Sequence, residues 1–147
     1  MRDFYLFERI ANIAQSVVGK RLNMLSGADE CQVMGMAAGA DGAIGSFYNL
    51  MPKTFVELRA AFSRGETSKA LEMQTRGNRV IEEHLTIGTA CGKLSAIAAM
   101  KHVMRELQGL PAGQTKKRYR GDVYTDEEHG AACVAKMRKL GEEYKIE

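Results

Sequence analysis

Gly39-Ala40-Asp41-Gly42-Ala43-Ile44-Gly45-Ser46-Phe47-Tyr48-Asn49 decides the fold, because a short apolar strand around Ala43-Ile44 runs into a turn of small residues that carries a hydroxyl and backbone donors. A turn of this make-up suits an oxygen-rich ligand. A matching unit lies upstream: Arg21-Leu22-Asn23-Met24-Leu25 reads as a strand and ends in Ser26-Gly27-Ala28-Asp29-Glu30, where a glycine is closely followed by two carboxylates. Two successive strands therefore end in chemistry.

Between them the sequence predicts a helix from Glu30 to Ala38, with Asp29 capping its first turn and small Gly35, Ala37 and Ala38 allowing close packing. The spacing is that of one β-α-β step. A barrel of alternating strands and helices assembles its site from loops at the carboxyl ends of neighbouring parallel strands, and the two units meet that requirement. The fold class expected is α/β.

These motifs resemble the N-acetylneuraminate lyase branch of the dihydrodipicolinate synthase superfamily, class I aldolases on (β/α)8 barrels. Ser26-Gly27-Ala28-Asp29-Glu30 is similar to the family's glycine-x-aspartate-glutamate motif on strand seven, and residues 39–49 to its strand-eight motif, which usually has threonine where Phe47 stands. The resemblance runs to about Leu140, and the Asp29-Glu30 pair with the Gly-Ser-x-Tyr-Asn ending favours the sialic-acid branch. It implies the last two strands of a (β/α)8 TIM barrel with their helices over residues 1–65, and a C-terminal three-helix segment over residues 66–147.

By residue type alone, Asp29 reads either as a helix cap or as a ligand group, and Glu30 either as a first-turn carboxylate favoured by the helix dipole or as a ligand group. The resemblance decides for ligand roles: it implies that Asp29 and Glu30 bind the hydroxyls of a sugar tail, with Gly27, Gly45 and Ser46 lining the same pocket. Carboxylates suit polyols because each accepts several hydrogen bonds, stronger than neutral ones. Tyr48 and Asn49 are expected to shape the turn. Ala28 and Phe47 depart from the family pattern; a small residue at 28 would widen the pocket, and Phe47 lacks the hydroxyl a threonine would supply.

The family forms a Schiff base between pyruvate and a lysine on strand six, assisted by a tyrosine on strand five. The resemblance places both upstream of Met1, and no lysine here takes that role: Lys20 precedes strand seven, and Lys93 and Lys101 fall in a later helix. No catalytic residue is assigned. With 147 residues against the ~250 of a complete barrel, the chain is expected to be the carboxyl-terminal half of a lyase, with exposed edges on both strands.

Outward from the motifs, Asp3 is expected to cap a helix carrying Phe4, Phe7, Ala11 and Ala14 and ending near Gln15. Pro52 opens another, with Phe55, Leu58 and Phe62 as its stripe, stopped by Gly65. A third runs from Glu66 to Gly88 with Met73, Gly77, Val80, His84 and Ile87 on one face. A fourth, Lys93 to Leu107, carries Ala96, Met100, Val103 and Leu107 and breaks at Leu110-Pro111-Ala112-Gly113. A last helix is expected from Asp126 to about Leu140, capped by Thr125.

Composition, with 45% hydrophobic and 27% charged residues, is that of an ordinary globular chain. A net charge of +3 does not call for nucleic acid, and no run reaches the ~18 apolar residues of a membrane span. Cys31, Cys91 and Cys133 are widely spaced without a Cys-x-x-Cys pair, which fits a reducing cytoplasm. His84, His102 and His129 lack metal-ligand spacing, and the glycines form no nucleotide loop. Lys116-Lys117-Arg118-Tyr119-Arg120 reads as a solvated loop. No cofactor and no metal is expected. Two functions stay open: a sugar-acid-binding half of a class I aldolase, associating with a missing amino-terminal half or with copies of itself, and a non-catalytic oligomerisation or interaction module derived from the same fold.

Overall fold

Apolar residues at three- and four-residue intervals lay out the helices, and glycines end them. The computed structural model describes residues 4–90, 96–113, 135–136, 138–140 and 142–143. Helix α1 spans Phe4–Val18, three residues beyond the expected end, and turns off at Gly19 with φ 67°. Its expected inner face holds: Ala14 is buried, and Phe4, Phe7 and Ala11 are half-buried. Leu6, Ile10, Ile13 and Val17 make a second stripe on exposed positions. The expected cap, Asp3, lies outside the described residues.

Strands β1 (Leu25–Ser26) and β2 (Gly42–Ala43) pair in parallel, Leu25 opposite Gly42 and Ser26 opposite Ala43. Both differ from the expected spans of 21–25 and 43–44. The reason is Asp41: its Oδ2 accepts the Met24 backbone N–H at 2.9 Å, so a side chain replaces the ladder partner before Leu25. Arg21 closes on the same carboxylate at 2.6 Å, and Arg59 donates to the Asp41 carbonyl. Among the described residues each strand has one neighbour, and Leu22, Leu25 and Ile44 are exposed, as expected of open edges.

The crossover is not one helix from Glu30 to Ala38. A 3-10 turn, Asp29–Cys31, precedes α2, Gln32–Ala37. Helix α2 lies close on β1: a Cβ on Gly35 would sit 2.7 Å from both Cβ and Oγ of Ser26. It ends in a Schellman turn, with Ala40 N–H donating to the Gly35 carbonyl at 2.9 Å and Gly39 N–H to Met36 at 3.0 Å. A 3-10 turn at Phe47–Asn49 leads from β2 to α3, Pro52–Ser63. Pro52 stands in its first turn as expected, and Gly65 supplies the left-handed residue (φ 80°) that closes an equivalent turn.

Helix α4, Thr67–Ala90, runs through Gly88, the expected stop. Gly88 is not among the left-handed glycines, and a glycine in right-handed backbone weakens a helix without ending it. Helix α5, Ala96–Gln108, ends at Gly109 (φ 64°), before the Leu110–Gly113 breaker. The last expected helix lies mostly outside the described residues; 135–136, 138–140 and 142–143 are helical, and Leu140 is buried.

One core joins helices α2 to α5 and the turn that leads into α3. Leu50, Leu58 and Val80 are fully buried, and Val33, Phe47, Met51, Phe55, Ala61 and Ala70 surround them together with Ile81, Met100, Val103 and Leu140. It therefore draws side chains from both sides of residue 65. Phe62, Met73 and Leu107, expected on the buried stripes, are partly buried against it. Arg64 bonds Glu57 at 2.9 Å and Glu66 at 2.6 Å across the α3–α4 joint. No described helix is long and apolar enough to cross a membrane.

The Gly35–Ser26 approach sets a test. Gly35→Ala should destabilise the chain by about 2 kcal/mol through overpacking, and adding Ser26→Gly should recover part of that loss. Urea denaturation of the two single variants and the double variant measures the coupling.

Candidate functional site

The loops that follow β1 and β2 lie side by side at the carboxyl ends of parallel strands, where open α/β folds place their ligands. Asp29 fastens them together. Its side chain is buried at 6% exposure, and Oδ2 accepts the Phe47 backbone N–H at 2.9 Å. It is not the expected helix cap, for the residues at the cap positions of the 3-10 turn and of α2, Ala28 and Cys31, make no side-chain cap bond. The carboxylate has turned away from the helix start to satisfy a buried amide of the neighbouring loop.

Gly45 makes that contact possible. A Cβ there would lie 1.4 Å from Asp29 Oδ1 and 2.4 Å from its carboxyl carbon, so only glycine admits the carboxylate. Gly27 is under no such pressure: a Cβ would meet only the Ile44 carbonyl, at 3.8 Å. Glu30, next to Asp29, is half-buried, and Ser46 is exposed on the second loop. The Ser46 carbonyl accepts both the Asn49 backbone N–H at 3.2 Å and Asn49 Nδ2 at 2.8 Å, so Asn49 shapes the turn as expected.

These groups border a cleft of about 510 Å3. Gly27, Asp29, Glu30, Gly45, Ser46 and Asn49 form its polar side, so all five expected site residues come together there. Ile81 of α4 and Ile97 and Met100 of α5 join Ile44 and Phe47 on its apolar side. The sequence reading missed this wall. Met100 falls on an expected stripe, whereas Ile81 follows a stripe residue and Ile97 is an apolar residue off the stripe, the one signal in the sequence that marks it; it is 60% exposed. Ala28, considered a pocket-widening position, is buried and does not line the cleft. Phe47 takes part through its buried ring and its amide.

Tyr48 lies beneath the carboxylates, its ring tilted 54° against Phe55 at 4.5 Å, and its hydroxyl is buried with no hydrogen-bond partner among the described residues. Burial first, then the negative charges of Asp29 and Glu30, push its phenol up to about 12.

Among the described residues that line the cleft none is a lysine. Among the described residues no three His, Cys, Asp or Glu groups gather as a metal centre. Cys31 is a free thiol. Cys91, Cys133, His129, Lys93 and the Lys116–Arg120 cluster lie outside the described residues, as do the side chains of His84 and His102. The arrangement accepts hydrogen bonds from hydroxyls on one side and packs carbon on the other, which suits a polyol with an apolar face.

Comparison with known proteins accords with that geometry. The model of the dihydrodipicolinate synthetase family matches residues 3–129. N-acetylneuraminate lyase of Rhizobium meliloti (strain 1021) is 31% identical over 118 residues, which are 80% of this chain and 35% of that protein. The crystal structure of N-acetylneuraminate lyase from Mycoplasma synoviae superposes with a TM-score of 0.73 at 25% identity, over 98% of this chain and 43% of its own. CdNal from Clostridium difficile, solved in complex with mannosamine, gives 0.72 at 26% identity, over 95% of this chain and 43% of its own. The chain thus spans well under half the length of these relatives.

Two outcomes are expected of the site itself. Gly45→Ala should expel the Asp29 carboxylate and cost about 3 kcal/mol, seen in urea denaturation and as loss of hydrogen-exchange protection at the Phe47 amide. Absorbance titration at 295 nm should show a phenol with a midpoint near 12, absent from Tyr48→Phe. Below the ordinary value of 10.0 both folded and unfolded chains hold this proton. Above it the unfolded chain releases the proton while the folded chain keeps it, so the stability contributed by Tyr48 falls as pH rises from 10.0 through about 12.

Proposed function

Since the chain belongs to the dihydrodipicolinate synthetase family, we propose that it is the carboxyl-terminal, sugar-binding portion of an N-acetylneuraminate lyase-like class I aldolase. Residues 1–65 would form the last part of a (β/α)8 barrel, from its sixth to its eighth helix, and residues 66–147 a helical extension. The observation that carries this reading is the cleft: Asp29 and Glu30 from one strand end face Gly45 and Ser46 from the next, around a space of about 510 Å3.

In this role the chain holds the polyol tail of a sialic acid or related 2-keto sugar acid. Glu30 and Ser46 offer the reachable acceptors and hydroxyl, and Asp29 fixes the distance between the two loops. In this reading the Schiff-base lysine is supplied by residues outside this chain. The imine made there acts as electron sink while the carbon–carbon bond breaks to pyruvate and N-acetylmannosamine. The chain alone is therefore inactive, and its setting is a reducing cytoplasm.

The exposed stripe Leu6, Ile10, Ile13 and Val17 favours a second reading, in which the helices serve as a non-catalytic association surface for copies of the chain or a longer relative.

One set of measurements separates these. The chain should bind N-acetylmannosamine weakly in NMR titration, with shifts at Glu30 and Ser46 and at least about tenfold weaker binding in Glu30→Gln. Pyruvate with borohydride should leave its mass unchanged. Mixing with an amino-terminal lyase half should restore both the reduced adduct, on the added half, and cleavage. A folded chain that ignores the sugar but co-elutes with a full-length lyase would replace the first reading by the second, and an adduct on the chain itself would end the claim of a missing nucleophile.

A further inference from the structure

Gln74 is a primary amide on the buried side of α4, 4% exposed. A buried amide is costly unless its hydrogen bonds are made, and these are made on the loop that carries the cleft carboxylates. Gln74 Nε2 donates to the Asp29 backbone carbonyl at 2.9 Å, and Oε1 accepts the Val33 N–H at 3.2 Å. The orientation of the amide follows from its partners, since the reverse would set its NH2 against the Val33 N–H. One helical turn on, Asn78 Oδ1 accepts from Gln74 Nε2 at 2.9 Å, and Asn78 Nδ2 donates to the Glu30 carbonyl at 3.1 Å. Two amides at i and i+4 on one helix face therefore hold the backbone carbonyls of both carboxylate residues and the first turn of α2.

We propose that Gln74 and Asn78 are positioning residues for Asp29 and Glu30. An apolar side chain at 74 would fill the same space, but its contacts would leave the 3-10 turn free to rotate. The amide pair fixes the height and rotation of that turn, and so the direction in which the two carboxylates enter the cleft. Helix α4 thereby sets the geometry of a site whose ligand-facing groups lie some forty-five residues earlier, Gln74 and Asp29 being separated by 45 positions. The ligand is the sugar of the proposed function, and the inference rests on that reading for the ligand alone; the geometry stands without it.

The readout is the Phe47 amide, which Asp29 Oδ2 accepts and neither Gln74 nor Asn78 touches. Hydrogen exchange on the full chain should show about tenfold less protection at Phe47 in Gln74→Met, with Leu58 in the α3 interior unchanged. Asn78→Ala, at a half-buried position, should do the same to a smaller extent. In both variants N-acetylmannosamine binding should weaken by about tenfold. Unchanged Phe47 protection in both variants, or a loss shared equally by Leu58, would overturn the positioning role. So would a loosened Phe47 with sugar affinity intact. A wild-type chain that does not bind N-acetylmannosamine would remove the proposed function instead, and Phe47 exchange would still decide whether Gln74 and Asn78 position the carboxylates.

Discussion

The contact between the Asp29 carboxylate and the Phe47 amide is the constraint on which the rest of the structure turns. The β1–β2 ladder is only two residue pairs long, far too short to hold two loops in register by itself. A buried, charge-assisted hydrogen bond at 2.9 Å ties the loop after β1 to the loop after β2 beyond the point where the ladder stops. Because Phe47 is itself part of the core, the same contact anchors the cleft to the packing of α3, α4 and α5. Gly45 follows from it as a steric necessity.

A carboxylate used in this way is not wholly available to a ligand. Asp29 spends one oxygen on the protein's own amide, whereas Glu30, half-buried beside it, is the more accessible acceptor. The paired carboxylates therefore have unequal tasks: one fixes the separation of the loops and the other presents charge.

Much of this was legible in the sequence, and the particular misses have physical causes. The spacing of Gly27, Asp29, Glu30, Gly45 and Ser46 placed them at successive strand ends, and the cleft gathers all five. The helix stripes through Phe55, Leu58, Val80, Met100 and Val103 are buried as periodicity required. Strand bounds failed because Asp41 caps the ladder with its side chain, a tertiary contact with Met24 and Arg21 that no local pattern announces. The cap assigned to Asp29 failed because a long-range amide competed for the same oxygen. Gly88 failed as a stop because only backbone conformation, not residue type, distinguishes a left-handed glycine from a helical one. Gln74 went unremarked because a polar residue beside an apolar stripe looks solvated until its partners, more than forty positions away, are known.

The apolar surface left over follows the same logic. Leu6, Ile10, Ile13 and Val17 recur at helical spacing along α1 yet are exposed, Val17 at 77%, and Ile44 at the edge of β2 is exposed at 67%. A helix that meets water on its outer side gains nothing from a second apolar stripe, and an open strand edge invites pairing. Apolar exposure is not confined to these places, since Val56 on α3 and Leu71 on α4 are also exposed beside the charged Glu57–Arg64–Glu66 joint. In the proposed role, further strands paired to the open edges of β1 and β2 would satisfy the unpaired ladder and bring a nucleophile to the cleft, so that one association would complete both the sheet and the chemistry.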